Sequence, residues 1–210
     1  MKNKGQDVRT QRSRQLLADA LIELMMEKPI AKITVNEVVK RSGVARTTFY
    51  AQFADKEDFV EQIISDKLKE LRAAVMPQFD LSEGKELSDE QIQQFSDTYY
   101  VNYYNEFIKN KDFFVAMLSE NGVPGFRDKL TDNGIAAYTY VFEHAQTQQF
   151  PLPPKYIIQY IVGAHIELGY QMLKGGFVES PEYMAKIQDR LTFKGLLRGL
   201  KLDKDVTLLK

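Results

Sequence analysis

The sequence contains no cysteine, which excludes a disulfide framework, a thiolate metal site and a cysteine nucleophile together. It has no apolar run long enough to span a bilayer, and its opening residues, Met1 to Arg14, are polar and basic with no apolar segment behind them. Neither secretion nor membrane insertion is expected, and a cytoplasmic location is. No stretch alternates apolar and polar residues far enough to argue for a sheet. The parts of common catalytic machinery are missing as well: there is no Gly-rich phosphate loop, no Gly-x-Ser-x-Gly elbow and no ordered carboxylate pair whose spacing demands catalysis. An enzyme is therefore not expected. The two histidines, His144 and His165, have no carboxylate or second histidine at metal-ligand spacing, so neither a metal nor a cofactor is expected.

What is present is a chain of 210 residues, 44% hydrophobic, long enough to bury a real core in one or two domains. The net charge of -1 conceals an asymmetry: residues 1–56 carry 11 Lys and Arg against 6 Asp and Glu, and the remainder carries 17 against 23. A basic N-terminal quarter on an acidic body points to one end that meets a polyanion. Leu16, Leu17, Ala20, Leu21, Leu24 and Met25 recur at the helical period, predicting a first helix from about Thr10 to Glu27 that Pro29 ends. Thr34 with Glu37 forms a capping box opening a second helix, which buries Val35, Val38 and Val39 and stops at Ser42-Gly43. A third helix begins near Ala45 or Arg46 and ends near Phe53; it is too short to be stable alone. A fourth, from Asp55-Lys56 to Pro77, carries the stripe Phe59, Ile63, Ile64, Leu68, Leu71 and Val75.

Beyond a polar loop at Phe79 to Leu87, Ser88 and Gln91 form a second capping box before Phe95, Tyr99, Tyr103 and Phe107. Phe113, Phe114, Met117 and Leu118 continue or restart that pattern until Gly122-Val123-Pro124-Gly125. A helix bearing Ile135, Tyr138, Val141, Phe142 and Ala145 follows, ended by Pro151, Pro153 and Pro154. The last two helices run from about Lys155 to Lys174 and from Pro181 to Leu200. The chain reads as all-α, with roughly nine helices.

The short second and third helices around a Gly-containing turn outline a helix-turn-helix. From Ile33 to Glu57 the sequence resembles the DNA-binding domain of the tetracycline-repressor (TetR) family: a threonine opens the second helix, Gly43-Val44 forms the turn, Thr48-Phe49-Tyr50 steps along the recognition helix, Phe53 ends it and Lys56-Glu57 opens the fourth helix. The resemblance implies a DNA-binding domain over 1–56, with 56–76 as connector, and a helical effector-binding and dimerisation domain over 77–210. It further implies base readout by Asn36, Arg46 and Thr47, with Arg46 favouring guanine. Thr34, Thr48, Tyr50 and Lys56 stand where the family contacts phosphate. Ala45 replaces a common capping serine, and Gln52 a common histidine at another phosphate-contacting position. Val44, Phe49 and Phe53 are expected in the domain core. Arg9, Arg12 and Arg14 are expected either as a flexible arm on DNA or as a solvated charge run.

In the body the resemblance rests on helical content and length. The stretches Phe113-Phe114 and Ser119-Glu120-Asn121-Gly122 look like the branch that includes regulators of dihydroxyacetone-kinase genes. Aromatic enrichment places a candidate effector pocket at Tyr99, Tyr103, Phe107, Phe114, Met117, Tyr138, Phe142 and His165. A candidate dimer interface falls on Tyr160, Ala164, Leu168, Ile187, Leu191 and Leu197, with Gly163 and Gly169 allowing close helix approach. The expected function is a homodimeric transcriptional regulator of double-stranded operator DNA, a repressor released by a small effector. The alternative is a co-activator or ligand-binding protein of the same fold that does not repress.

Overall fold

The computed structural model describes residues 4–76, 89–144, 153–193 and 195. The loop expected at Phe79 to Leu87, the cap residue Ser88, Ala145, Pro151, Leu197 and the C-terminal end of the last expected helix lie outside them. Among the described residues there are nine α-helices and no strand: α1 (Lys4–Glu27), α2 (Val35–Ser42), α3 (Arg46–Tyr50), α4 (Lys56–Val75), α5 (Asp89–Lys109), α6 (Lys111–Leu118), α7 (Phe126–His144), α8 (Pro154–Lys174) and α9 (Pro181–Phe193). A 3-10 turn at Ile30–Lys32 follows α1.

Two compact units emerge, and they are not consecutive in sequence. The first is Met1–Lys69 with Lys111–Arg127, and the second is Glu70–Asn110 with Asp128–Lys210. In this division α6 and the turn after it join the N-terminal unit, whereas the expectation divides the chain once, at residue 77. The helix α4 passes from one unit into the other.

Within the first unit α1 packs on α2 and α6. Leu17, Leu21, Met25 and Ile33 are buried with Phe49, Phe53 and Phe59, and α6 adds Phe113, Phe114 and Met117. Leu16, expected on the buried face, is 42% exposed. Arg9, Arg12 and Arg14 lie inside α1, which starts at Lys4, so all three are helical. Arg14 is structural: Nη2 donates to Asp66 Oδ2 at 2.6 Å, and its guanidinium lies 4.8 Å from the centre of the Phe53 ring. A backbone bond from Ile30 N to Asn121 O, 3.0 Å, ties the 3-10 turn to the segment after α6.

The capping box forms as expected. Thr34 accepts from the Glu37 amide, and Glu37 accepts from the Thr34 amide at 3.0 Å. Lys28 pairs with the same carboxylate. The Lys28 ammonium first, and the Thr34 hydroxyl and amide next, lower the Glu37 carboxyl from its ordinary 4.5 to about 2. A depressed pKa means the carboxylate stabilises the fold at neutral pH and loses that effect as the proton binds. In thermal melts, wild type should therefore outlast Glu37→Gln at neutral pH, and the gap should close as the pH falls from 4.5 through about 2. A gap that persists at the acid end would assign it to packing instead.

In the second unit α5 packs along α9. Tyr104 donates to the fully buried Gln188 at 3.1 Å. Gly169 is buried in α8, where a Cβ would meet Tyr103 Oη at 3.1 Å and a Phe107 ring carbon at 3.2 Å. That corrects its expected place at a surface interface: its close approach is to α5, inside the unit.

Candidate nucleic-acid interface

The helix-turn-helix is assembled from local chemistry. Gly43 ends α2 at φ 69°, a left-handed conformation that a side chain would oppose. After two residues α3 starts at Arg46, with Ala45 giving no side-chain cap. Five residues cannot hold a helix by themselves. Phe49, fully buried, anchors it with ring contacts of 5.2 Å to Phe53 and 5.3 Å to Phe59. Fixing Phe49 inward turns Arg46, Thr47 and Tyr50 to solvent, and Asn36 of α2 is exposed beside them.

These groups touch one another. Arg46 Nη1 donates to Asn36 Oδ1 at 2.7 Å, and its guanidinium lies 5.4 Å from the centre of the Tyr50 ring. The result is a cation held by a neutral amide and an aromatic face. Arg41, by contrast, is paired with Glu23 and Glu27, which raise its pKa further.

Three other expected contacts have intramolecular partners. Thr34 Oγ1 donates to Glu37 Oε2 at 2.9 Å. Gln52 Nε2 donates to Ser13 Oγ at 2.9 Å and to Thr48 O at 3.2 Å, leaving its buried Oε1 without a partner. Lys56 Nζ donates to the carbonyls of Ile30 at 3.3 Å and Ile33 at 3.1 Å, bracing the 3-10 turn. Thr48 is half-buried.

The second unit holds a small cavity of about 20 Å³, lined on α4 by Leu71, Arg72 and Val75, on α5 by Tyr99 and Tyr103, on α7 by Leu130, Asn133, Gly134 and Ala137, and on α8 by Val162, His165 and Ile166. That is room for about one water. His165 is 3% exposed and ringed by Tyr99, Tyr100, Tyr103 and Tyr138, with centroids 4.8 to 5.9 Å away. Burial lowers its pKa from 6.5 to about 3, so the imidazole is neutral. Burial likewise raises the hydroxyls of Tyr99, Tyr103 and Tyr138, which stay protonated.

The profile of "Bacterial regulatory proteins, tetR family" matches residues 17–63, enclosing the whole motif, and that of "Transcriptional regulator C-terminal region" matches 97–194. The chain belongs to the tetR family. As a tetR-family member it is a DNA-binding transcriptional regulator, in a family of regulators and not of enzymes. It is 32% identical over 71 residues to the uncharacterized HTH-type transcriptional regulator YxbF of Bacillus subtilis (strain 168), a match covering 33% of this chain and 19% of that protein. The fold is similar to that of the fatty acid degradation regulator FadR from Bacillus halodurans, with a TM-score of 0.68 and 17% identity over 88% of this chain and 96% of that one. It is also similar to the dihydroxyacetone kinase operon activator DhaS, with a TM-score of 0.58 and 15% identity over 87% and 94%.

For this tetR-family chain the expected pocket residues divide. Tyr99, Tyr103 and His165 line the cavity; Tyr138 stands 5.4 Å from His165 and Phe107 4.7 Å from Tyr103, centroid to centroid. Phe114 and Met117 do not belong with them. They are core of the first unit, where Phe114 faces Phe113 and Phe126. Phe142 is half-buried and outside the lining. Sequence reading missed Arg72 and Asn133, whose only signal was a cation in the last turn of α4 beside the apolar stripe. Among the described residues no group of His, Asp and Glu could hold a metal, and no helix is long and apolar enough to cross a membrane.

Proposed function

We propose that this regulator acts as a cytoplasmic homodimer on a near-palindromic operator, as a repressor released when a small ligand enters the second unit. The observation that carries the DNA-facing part is the exposed Arg46–Asn36–Tyr50 cluster at the start of α3. Arg46 with Thr47 reads base edges, Asn36 and Tyr50 hold Arg46 in position, and Thr48 and Tyr50 meet phosphate. Thr34, Gln52 and Lys56 serve first to keep the motif in shape.

Dimerisation is supported by the apolar surface of the last helices. Tyr156, Tyr160 and Tyr183 are 58%, 67% and 57% exposed. Ala164, Leu168, Ile187 and Leu191 of the same two helices are half-buried, and Gly163 opens onto free space. Exposed apolar side chains on these two helices are expected to be covered, and pairing α8 and α9 with their copies makes a four-helix interface. Two recognition helices then enter successive major grooves about 34–36 Å apart. The likeness to DhaS, named as an activator, favours a second reading in which the bound regulator activates.

Fluorescence anisotropy with labelled DNA from upstream of the protein's own gene tests this, with stoichiometry read by sedimentation. Two chains should bind per site. Tyr50→Phe should weaken binding on operator and scrambled DNA alike, while Arg46→Ala should cost ~1–3 kcal/mol on the operator alone. Equal losses on both DNAs for Arg46→Ala would refute the division into reading and positioning groups. A reporter assay with and without the regulator gives the sign.

A further inference from the structure

We infer that the cavity of the second unit takes a planar organic monocarboxylate, its carboxylate on Arg72 and its flat body against Tyr99, Tyr103 and His165. This rests on the reading of that cavity as the effector site and names the chemistry it selects. Among the described residues, Arg72 is the only charged one in the lining. Its hydrogen bonds run to a neutral partner: Nε and Nη2 donate to Asn133 Oδ1 at 3.1 and 2.7 Å, and Nη2 to Asn133 O at 3.5 Å. Asn133 thus holds one edge of the guanidinium. Nη1 makes none of these bonds, which leaves its N–H groups to donate to a carboxylate oxygen in a charge-assisted pair.

His165 supplies a second, independent observation. Among the described residues, the one hydrogen-bonding neighbour of its ring is the Tyr138 hydroxyl, 3.4 Å from both Nδ1 and Nε2. A neutral imidazole has one donor and one acceptor, and a single hydroxyl straddling both serves one of them at best, at long range. A nearly fully buried imidazole that lines the cavity and is held by one hydroxyl at long range can turn a nitrogen to a polar group on the entering ligand. Tyr99 and Tyr103 lie with ring planes 8° apart and present parallel faces suited to a flat body. The protonated tyrosines and neutral histidine add no positive charge, so one cation faces one negative charge. Arg72 is solvent-exposed, and a phosphate dianion would meet only this one cation in the lining. Because the cavity is about 20 Å³, the ligand must displace side chains as it enters.

Calorimetry on the full chain tests this with 4-hydroxybenzoate, 4-hydroxybenzamide and 4-hydroxyphenyl phosphate as probes. The carboxylate should bind at least tenfold more tightly than the amide or the phosphate. Arg72→Gln should erase that preference. Asn133→Asp, which places an internal carboxylate on an intact Arg72, should erase it too, and guards against misfolding of the first variant. Equal binding of the amide, preference for the phosphate, a preference surviving in both variants, or no binding of any probe overturns the inference. Operator anisotropy run with each probe separates the two levels. If the amide releases DNA as well as the carboxylate does, the effector cavity stands and the anion selectivity fails. If a probe binds and operator affinity is unmoved, the effector reading itself fails.

Discussion

Phe49→Ala should destabilise the first unit by about 3–5 kcal/mol, the largest effect of any single truncation in the recognition helix. The residue has no exposed surface and sits among Tyr50, Phe53 and Phe59, with Phe53 and Phe59 a further 4.8 Å pair. Removing the ring loses its burial and the edge contacts, each worth ~0.5–1.5 kcal/mol beyond area, and leaves a void among rigid neighbours. Natural domains are stable by only about 5–15 kcal/mol, so α3 loses its anchor first. Thermal melts should show a large downward shift, and hydrogen exchange should accelerate in α2 and α3 before the second unit responds. Phe49→Leu, which keeps most of the volume, should cost far less. An alanine variant that melts within ~1 kcal/mol of wild type would mean that the helix is held by something other than this cluster.

Gly122→Ala should be the second most damaging change, despite adding one methyl group. A Cβ there would lie 2.2 Å from the Met117 carbonyl oxygen and 2.8 Å from that of Ala116, both backbone atoms that cannot swing aside. The turn is also fixed at several points: Gly122 N donates to Ser119 O at 2.9 Å, Val123 N to Met117 O at 3.3 Å, and Asn121 O accepts from Ile30 N at 3.0 Å. Relieving the clash therefore displaces the acceptor on which the 3-10 turn before α2 depends. A cost of at least ~1–3 kcal/mol is expected, with faster exchange of the Ile30 amide as its signature. If Gly122→Ala leaves that amide protected, the turn moves independently of the motif and the coupling described here is absent. Both changes act on the DNA-binding unit from inside.

The sequence by itself determined the elements whose causes are local. Thr34 with Glu37 opens α2, Gly43 closes it, and Pro29 and Pro154 bound their helices through chemistry that acts within a few residues. It also determined the solvent-facing set of α3, because burying Phe49 in a five-residue helix leaves Arg46, Thr47 and Tyr50 outward. α1 starts at Lys4 and not at the expected Thr10, because its first turns are polar and carry no apolar period. Other features came only from the tertiary structure. Helical periodicity says which face of α6 is buried, yet Phe114 and Met117 fit a body core as well as the first unit they join. Lys56 resembles a phosphate ligand until its ammonium is seen on carbonyls 23 and 26 residues away in sequence. Arg72 meets Asn133 across 61 residues, and His165 meets the tyrosines of α5 and α7. Spacing along the chain records what each helix must hide, and only packing decides which partner hides it.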